Sequence, residues 1–283
     1  MDDDISKLLK KDLLIKCKEM GITKYSSKTK LELIELIQNK QSEIIQNNNA
    51  NINTQLKLPI RPNTEQLGII FEKSICLLYD IEFDGTFKYN IQEAENIKNR
   101  LIKLKQVFPY KIKHIAKHQN RYDFIKENEE GEQNIYLSAK TTKKDGKVCP
   151  QVIGQPTKKR FCELLGLNIL TTEQIKEHII LNITNLLDIY IHYTFDCYII
   201  YYNKYKDLVL FVKLVDNIMW TNYDIKFTHI IKNMKWLESS SIIIKDITIG
   251  EFQIHNHRDS IKFRWNFENL LYLFNTHFDV INL

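Results

Sequence analysis

Apolar residues recur at three- and four-residue intervals through several long stretches of this chain, and alternate with polar ones in shorter runs. The first stretch places Ile5, Leu9, Leu13, Cys17 and Met20 on one helical face and stops at Gly21. A polar turn, Lys24 to Lys28, follows. Thr29 with Glu32 three residues on is a capping-box pattern, and it opens a second helix with Leu33, Ile34 and Ile37 inward. Residues 41–64 then lose this order. Gln46-Asn47-Asn48-Asn49, Asn51, Asn53 and Gln55, closed by Pro59 and Pro62, predict a flexible linker. From 65 to 283 no comparable break occurs, and no repeat of fixed period. Helices are expected over Gln66–Tyr79 and Ile91–Val107, and strands over Lys111–Ile115, Arg121–Lys126 and Asn134–Thr141. Pro156 is expected to open a helix through Leu165. Tyr198–Tyr202 with Leu208–Leu214 predicts a hairpin. Ile242–Ile254 and Ser260–Trp265 predict strands around the turn Asn256–Asp259, before a last helix over Glu268–Asn275. The pattern is that of an α/β domain behind a small helical module at 1–40.

Composition narrows the class. The 283 residues are 43% hydrophobic and 27% charged, enough apolar surface for a sizeable core, which excludes a disordered or collagen-like chain. The most apolar long stretch, His178 to Tyr202, carries Asn182, Asn185, Asp188, His192 and Asp196, so no membrane span is expected. Met1-Asp2-Asp3-Asp4 lacks the order of a secretory signal. Five widely spaced cysteines without a CxxC pair favour reduced thiols inside a cell and give no zinc-ribbon signal. The net charge is only +5, but residues 98–160 hold 16 Lys or Arg against 6 Asp or Glu. A basic segment in an otherwise mildly acidic chain suggests a polyanion-facing surface. A solvated lysine-rich face would carry the same charge.

The run Leu8 to Ile37, with Leu13, Cys17, Gly21-Ile22, Ser27-Lys28, Lys30, Leu33-Ile34 and Ile37, resembles the SAP module. That resemblance covers about the first 40 residues. It implies a helical DNA-binding unit, with Lys24, Lys28 and Lys30 placed to reach phosphates.

A second resemblance lies in the basic segment. Arg121-Tyr122-Asp123, then fourteen residues, then Ser138-Ala139-Lys140, resembles the core of the PD-(D/E)XK nuclease superfamily. That family sets an Asp at the end of one strand and an acid-x-Lys on the next. Period-two geometry puts Ser138 and Lys140 on one strand face, with Leu137 and Ala139 opposite. The resemblance implies a restriction-endonuclease-like mixed sheet flanked by helices and a DNA endonuclease using Mg²⁺, with Mn²⁺ as substitute. It also implies Asp123 as metal ligand, Lys140 as catalytic lysine and Glu72, on the preceding helix, as auxiliary acid. Two positions depart from the pattern. Tyr122 stands where the family has Pro, and Ser138 where it has an acid, so a weaker neutral ligand replaces a carboxylate.

Two further segments suit DNA. Gly154-Gln155-Pro156-Thr157-Lys158-Lys159-Arg160 joins a helix start to three cations. Gly250 to Trp265 is dense in groups that read bases, namely Gln253, His255, His257, Arg258, Lys262 and Arg264. An amphipathic hairpin with a polar turn would show the same residues. His255-Asn256-His257 is not the dispersed HNH nuclease constellation. His114 and His118 lack the Glu of an HExxH zinc site. The expected partner is double-stranded DNA, with a second copy of the chain left open. The rival readings are a non-catalytic DNA-binding protein on a decayed nuclease fold and a structure-specific nuclease acting on junctions or flaps.

Overall fold

The computed structural model describes residues 8–20, 22, 25–26, 28–40, 64–116, 120–127, 132–144 and 146–283. Its contacts divide the chain into Met1–Arg61 and Pro62–Leu283. In the first unit, α1 (Lys10–Glu19) and a second helix, α2, over 30–40 bury Leu13 and Cys17 against Leu33 and Ile37. The capping box forms: the Glu32 carboxylate accepts from Thr29 N–H at 2.7 Å, and Thr29 Oγ1 accepts from Glu32 N–H at 3.4 Å. Leu9, expected on the inner face, is 66% exposed, because it caps the helix in extended conformation and so falls outside the 3.6-residue register. Ile5, Gly21 and the 41–63 segment lie outside the described residues.

The second unit begins with α3 (Thr64–Tyr79), α4 (Ile91–Lys98) and α5 (Leu104–Val107). The expected helix over Ile91–Val107 is therefore two. Leu101, Leu104 and Phe108 are buried and carry the apolar spacing across the break, which hides it in the pattern. Then follow β1 (Ile112–His114), β2 (Phe124–Lys126), β3 (Tyr136–Thr142) and β4 (Lys147–Val148). Three helices come next: α6 (Lys158–Leu164), α7 (Thr172–Leu181) and α8 (Ile183–Phe195). The helix expected to open at Pro156 begins at Lys158, because Thr157 is the better cap and accepts from Arg160 N–H at 3.1 Å. Next are β5 (Tyr198–Asn203), β6 (Leu208–Leu214), β7 (Lys226–Phe227), α9 (Thr228–Ile231), β8 (Ser239–Ile244) and β9 (Ile247–Ile254). The chain ends with β10 (Ile261–Asn266), α10 (Phe267–Leu273) and β11 (Phe278–Asn282).

The expected single strand over 242–254 is a hairpin. Lys245 and Asp246 both have positive φ, at 48° and 61°, as a two-residue type I′ turn requires. Neither residue is the Asn or Gly that announces such a turn. β11 was not expected, since of its residues only Phe278 is buried and no alternation marks it.

The strands form two sheets. The first is mixed, in the order β1-β2-β3-β5-β6-β11, and the second runs β4-β10-β9-β8-β7. β3 and β5 pair in parallel, Leu137 with Tyr198 through Thr142 with Asn203, and α6 to α8 supply the crossover that a parallel pair needs. β5 is buried on both faces: Ile200 and Tyr202 join the core under α3 and α4, while Ile199 and Tyr201 join the core shared with α8 and the second sheet. In that second core Tyr190 of α8 stacks on Phe263 of β10 at 4.1 Å, beside the fully buried Trp265. Truncating Trp265 to Ala would cost about 3–5 kcal/mol. Because Phe263 and Trp265 face inward, Lys262 and Arg264 turn to the other face of the sheet. No helix among the described residues is long and apolar enough to cross a membrane.

Candidate active site

The site is built where β2 meets β3. Phe124 pairs with Leu137 and Ile125 with Tyr136, so the same antiparallel register carried one step sets Asp123 opposite Ser138. The main chain holds Asp123 from the other side, its carbonyl accepting from Ile115 N–H at 2.9 Å. Asp123 Oδ2 accepts from Ser138 Oγ–H at 2.9 Å and from Ala139 N–H at 2.7 Å. Among the described residues no hydrogen bond falls on its Oδ1. Tyr122, at the family's Pro position, stacks on Tyr136 at 4.1 Å and donates to Asp196, which also pairs with Arg121 at 2.7 Å. Both anchor the loop ahead of β2 to the C-terminal end of α8.

Glu72 approaches from α3. Its Oε2 lies 3.2 Å from Nε2 of His114, whose ring is buried and stacked on Phe83 at 4.5 Å. His114 Nδ1 accepts from Asp84 N–H at 2.9 Å, so in the neutral ring the proton sits on Nε2 and points at Glu72. Burial pushes the Glu72 carboxyl up, and the charge of Asp123 adds to that. His114 and Lys140 act the other way without cancelling it. The structure thus brings Glu72, Asp123 and Lys140 within electrostatic reach, with Glu72 hydrogen-bonded to His114 rather than to the Asp123–Ser138 pair.

Ser138 does not stand free as a ligand. It is fully buried, gives its single proton to Asp123 and receives the Gln151 amide. Sequence reasoning missed both Gln151 and the role of His114. A lone Gln after a proline carries no signal, and His114 was weighed only with His118, which lies outside the described residues.

Lys140 links this site to the second sheet. Burial pushes the Cys149 thiol up, while Lys262, Arg264 and Lys140 each pull it down. One thiol thus feels cations from both sheets. On the second sheet Glu251 gathers three donors: Lys147 Nζ at 2.6 Å, Gln253 Nε2 at 2.7 Å and the Arg264 guanidinium. Burial opposes its ionisation, yet Lys147 and Arg264 together hold its carboxyl below the usual range. Gln253 and Arg264, expected as base readers, are therefore engaged within the sheet, because the register sets Arg264 directly across from Glu251. Lys262 lies across from Gln253.

The other expected DNA contacts fare variously. His255 Nδ1 lies 3.1 Å from Glu238, and with His257 these residues offer ligand atoms all within 4.8 Å of one another. Two imidazoles and one carboxylate suit a transition metal such as Zn²⁺ better than Mg²⁺. Arg258 and Gln155 are exposed. The trio at α6 is partly countered. Lys158 Nζ donates to Thr172 Oγ1 at 2.8 Å, while Arg160 and Lys159 approach Glu163 at 3.3 and 4.0 Å. Lys28 pairs with Glu32 at 2.9 Å, Lys30 is exposed, and Lys24 lies outside the described residues.

Comparison with known proteins adds one relative. A protein named type II restriction enzyme CviAII, from Paramecium bursaria Chlorella virus 1, is 45% identical over 219 residues. The match covers 77% of this chain and 62% of that relative's length. No family model and no solved structure matches the chain.

Proposed function

We propose that this chain is a metal-dependent endonuclease that hydrolyses phosphodiester bonds in double-stranded DNA, and more particularly a site-specific enzyme of the restriction type on a PD-(D/E)XK core. The observation that carries the proposal is the joining of Asp123 to Ser138-x-Lys140 across neighbouring strands, with a half-buried glutamate on the preceding helix. The order of elements supports it: a helix, three antiparallel strands, a helical crossover and a parallel strand. So does the likeness to a protein named as a restriction enzyme.

The donor set fits a hard divalent cation. Among the described residues Asp123 keeps one oxygen without a hydrogen bond, and the raised carboxyl of Glu72 marks a place where negative charge is crowded and desolvated. A cation would relieve both. Asp123 and Glu72 would hold it, and when bound it would withdraw charge from the scissile phosphate and acidify water. The chain's own groups do the rest. Ser138 and Ala139 fix the carboxylate of Asp123 through Oδ2, and among the described residues Oδ1 takes no hydrogen bond. His114 orients Glu72. Lys140 supplies positive charge where negative charge develops on the phosphate, a contribution whose loss costs about a hundredfold or more in rate. Lys262, Arg264 and Lys147 line the second sheet as phosphate and base contacts, and the N-terminal helical pair serves as a SAP-like DNA tether.

The test is incubation of the full chain with plasmid DNA in Mg²⁺ and, in parallel, in EDTA. Discrete fragments only in Mg²⁺ are expected. A smear would replace site specificity with general nuclease action, and intact plasmid in Mg²⁺ and Mn²⁺ alike would favour the non-catalytic DNA-binding reading, which the engagement of Ser138 supports.

A further inference from the structure

The loop after β4 holds a buried oxygen that the fold leaves without a partner. Gln151 is 9% exposed, and its Oε1 has no hydrogen-bond partner among the described residues. Proton bookkeeping fixes which way the amide points. Ser138 has one hydroxyl proton, and the Asp123 carboxylate takes it. Ser138 can then only accept from its other neighbour, so Gln151 must present its NH₂ group, as it does. Oε1 is thereby turned to the other side of an amide that reaches Asp123 through two hydrogen bonds, by way of Ser138.

The main chain holds this arrangement under tension. Val152 has φ 61°, a left-handed conformation that a β-branched residue rarely adopts. Ile153 N–H closes back onto Gln151 C=O at 2.5 Å, making a three-residue turn centred on Val152. Gly154 admits no side chain, since a Cβ there would lie 2.2 Å from the Pro150 carbonyl. Beyond it, Phe263 N–H donates to Gly154 C=O at 2.9 Å, which pins the loop to β10. An unpaired buried oxygen beside a strained turn costs stability twice over, and such costs persist where a ligand makes use of them.

We infer that Gln151 Oε1 is a metal ligand: it supplies the neutral oxygen that takes the place of the carboxylate missing at position 138. This deepens the endonuclease proposal and rests on Asp123 being a metal ligand. Amide oxygens are ordinary ligands of hard divalent cations. A carboxylate at 138 would face Asp123 across the register and add a third crowded anion, whereas Ser138 steadies Asp123 and hands the ligand role to the amide behind it.

The test is Mn²⁺ binding to the full chain without DNA, by calorimetry, in a His257→Ala background that disables the Glu238, His255 and His257 cluster. Asp123→Asn should remove binding. Gln151→Met, close in shape but lacking the oxygen, should raise the Kd about tenfold while the melting temperature in EDTA stays within a degree or so of the parent or rises. Gln151→Glu should lower the Kd. If Asp123→Asn binds Mn²⁺ like the parent, the metal role of Asp123 falls and this inference with it. If Asp123→Asn is silent but Gln151→Met keeps the parent Kd, the inference alone is overturned, and the oxygen is one that water satisfies. If Gln151→Met melts early in EDTA, Gln151→Glu decides: tighter binding supports the ligand, unchanged binding overturns it.

Discussion

Two polar clusters, one on each sheet, are satisfied in opposite ways. Around Glu251, three donors, Lys147, Arg264 and Gln253, all converge on one carboxylate. Around Asp123, capacity is left over. Asp123 has an oxygen without a hydrogen bond among the described residues, Gln151 has a buried one, and the carboxyl of Glu72 is pushed up by burial and by Asp123. The first arrangement is what stability alone would select. The second makes sense where something else completes it. The difference teaches that, in this fold, the oxygens around Asp123 keep acceptor capacity in reserve, while the cations suited to DNA on the second sheet converge on Glu251 and must exchange partners to act.

That contrast can be broken at either side, and the largest effect on folding is expected on the paired one. Glu251→Gln strands Arg264 and Lys147, whose side chains are 20% and 28% exposed, and should cost about 2–3 kcal/mol in urea melts, somewhat below the loss from a fully buried pair. Freed cations should at the same time steepen the salt dependence of DNA binding. An unchanged melt would show that the cluster is a surface network of little weight.

A smaller effect separates the two glutamates by pH, in EDTA. An unfolded glutamate titrates near about 4.3. Glu251, held lower in the fold, contributes stability above that value and loses it as pH falls through its folded pKa. Glu72, held higher, contributes stability fully below about 4.3, and loses it as pH rises through its folded pKa. Glu72→Gln should therefore gain stability over the parent at neutral pH, where Glu251→Gln loses it. Urea melts from acid to neutral pH check both, and the same sign for both would erase the distinction.

The smallest effect is at the strained turn. Val152→Gly removes the left-handed penalty at the expense of chain entropy, for a net gain of about 1 kcal/mol. A loss of stability would mean that Val152 packs in a way its 51% exposure does not suggest.

Much of this could be read before the structure, and the reasons for the failures are physical. Asp123, Ser138 and Lys140 were singled out by the resemblance of their spacing to the nuclease core, and strand alternation, which is local, put Ser138 and Lys140 on one face. Glu72 was singled out by the same resemblance, and local helix periodicity set only the helix that carries it. The pairing of Asp123 with Ser138 depends on register across the segment between β2 and β3, which no local pattern sets. Gln151 was illegible because its role comes from a positive φ at a valine, which sequence preference argues against. The Glu251–Arg264 pair was hidden for a related reason. With the turn at Lys245-Asp246 missed, 242–254 read as one strand, and the edge-to-edge partners of β9 could not be assigned.

The most direct test of the central claim is single-turnover cleavage by the full chain, set beside DNA affinity measured in Ca²⁺. Asp123→Asn keeps an acceptor for Ser138 and Ala139, and Lys140→Ala breaks no ion pair described for Lys140, so both should fold. Each should cut in Mg²⁺ at least about a hundredfold more slowly than the parent, while binding DNA within a few fold of it. Cutting at the parent rate by either variant would contradict the account and move the chemistry elsewhere in the molecule.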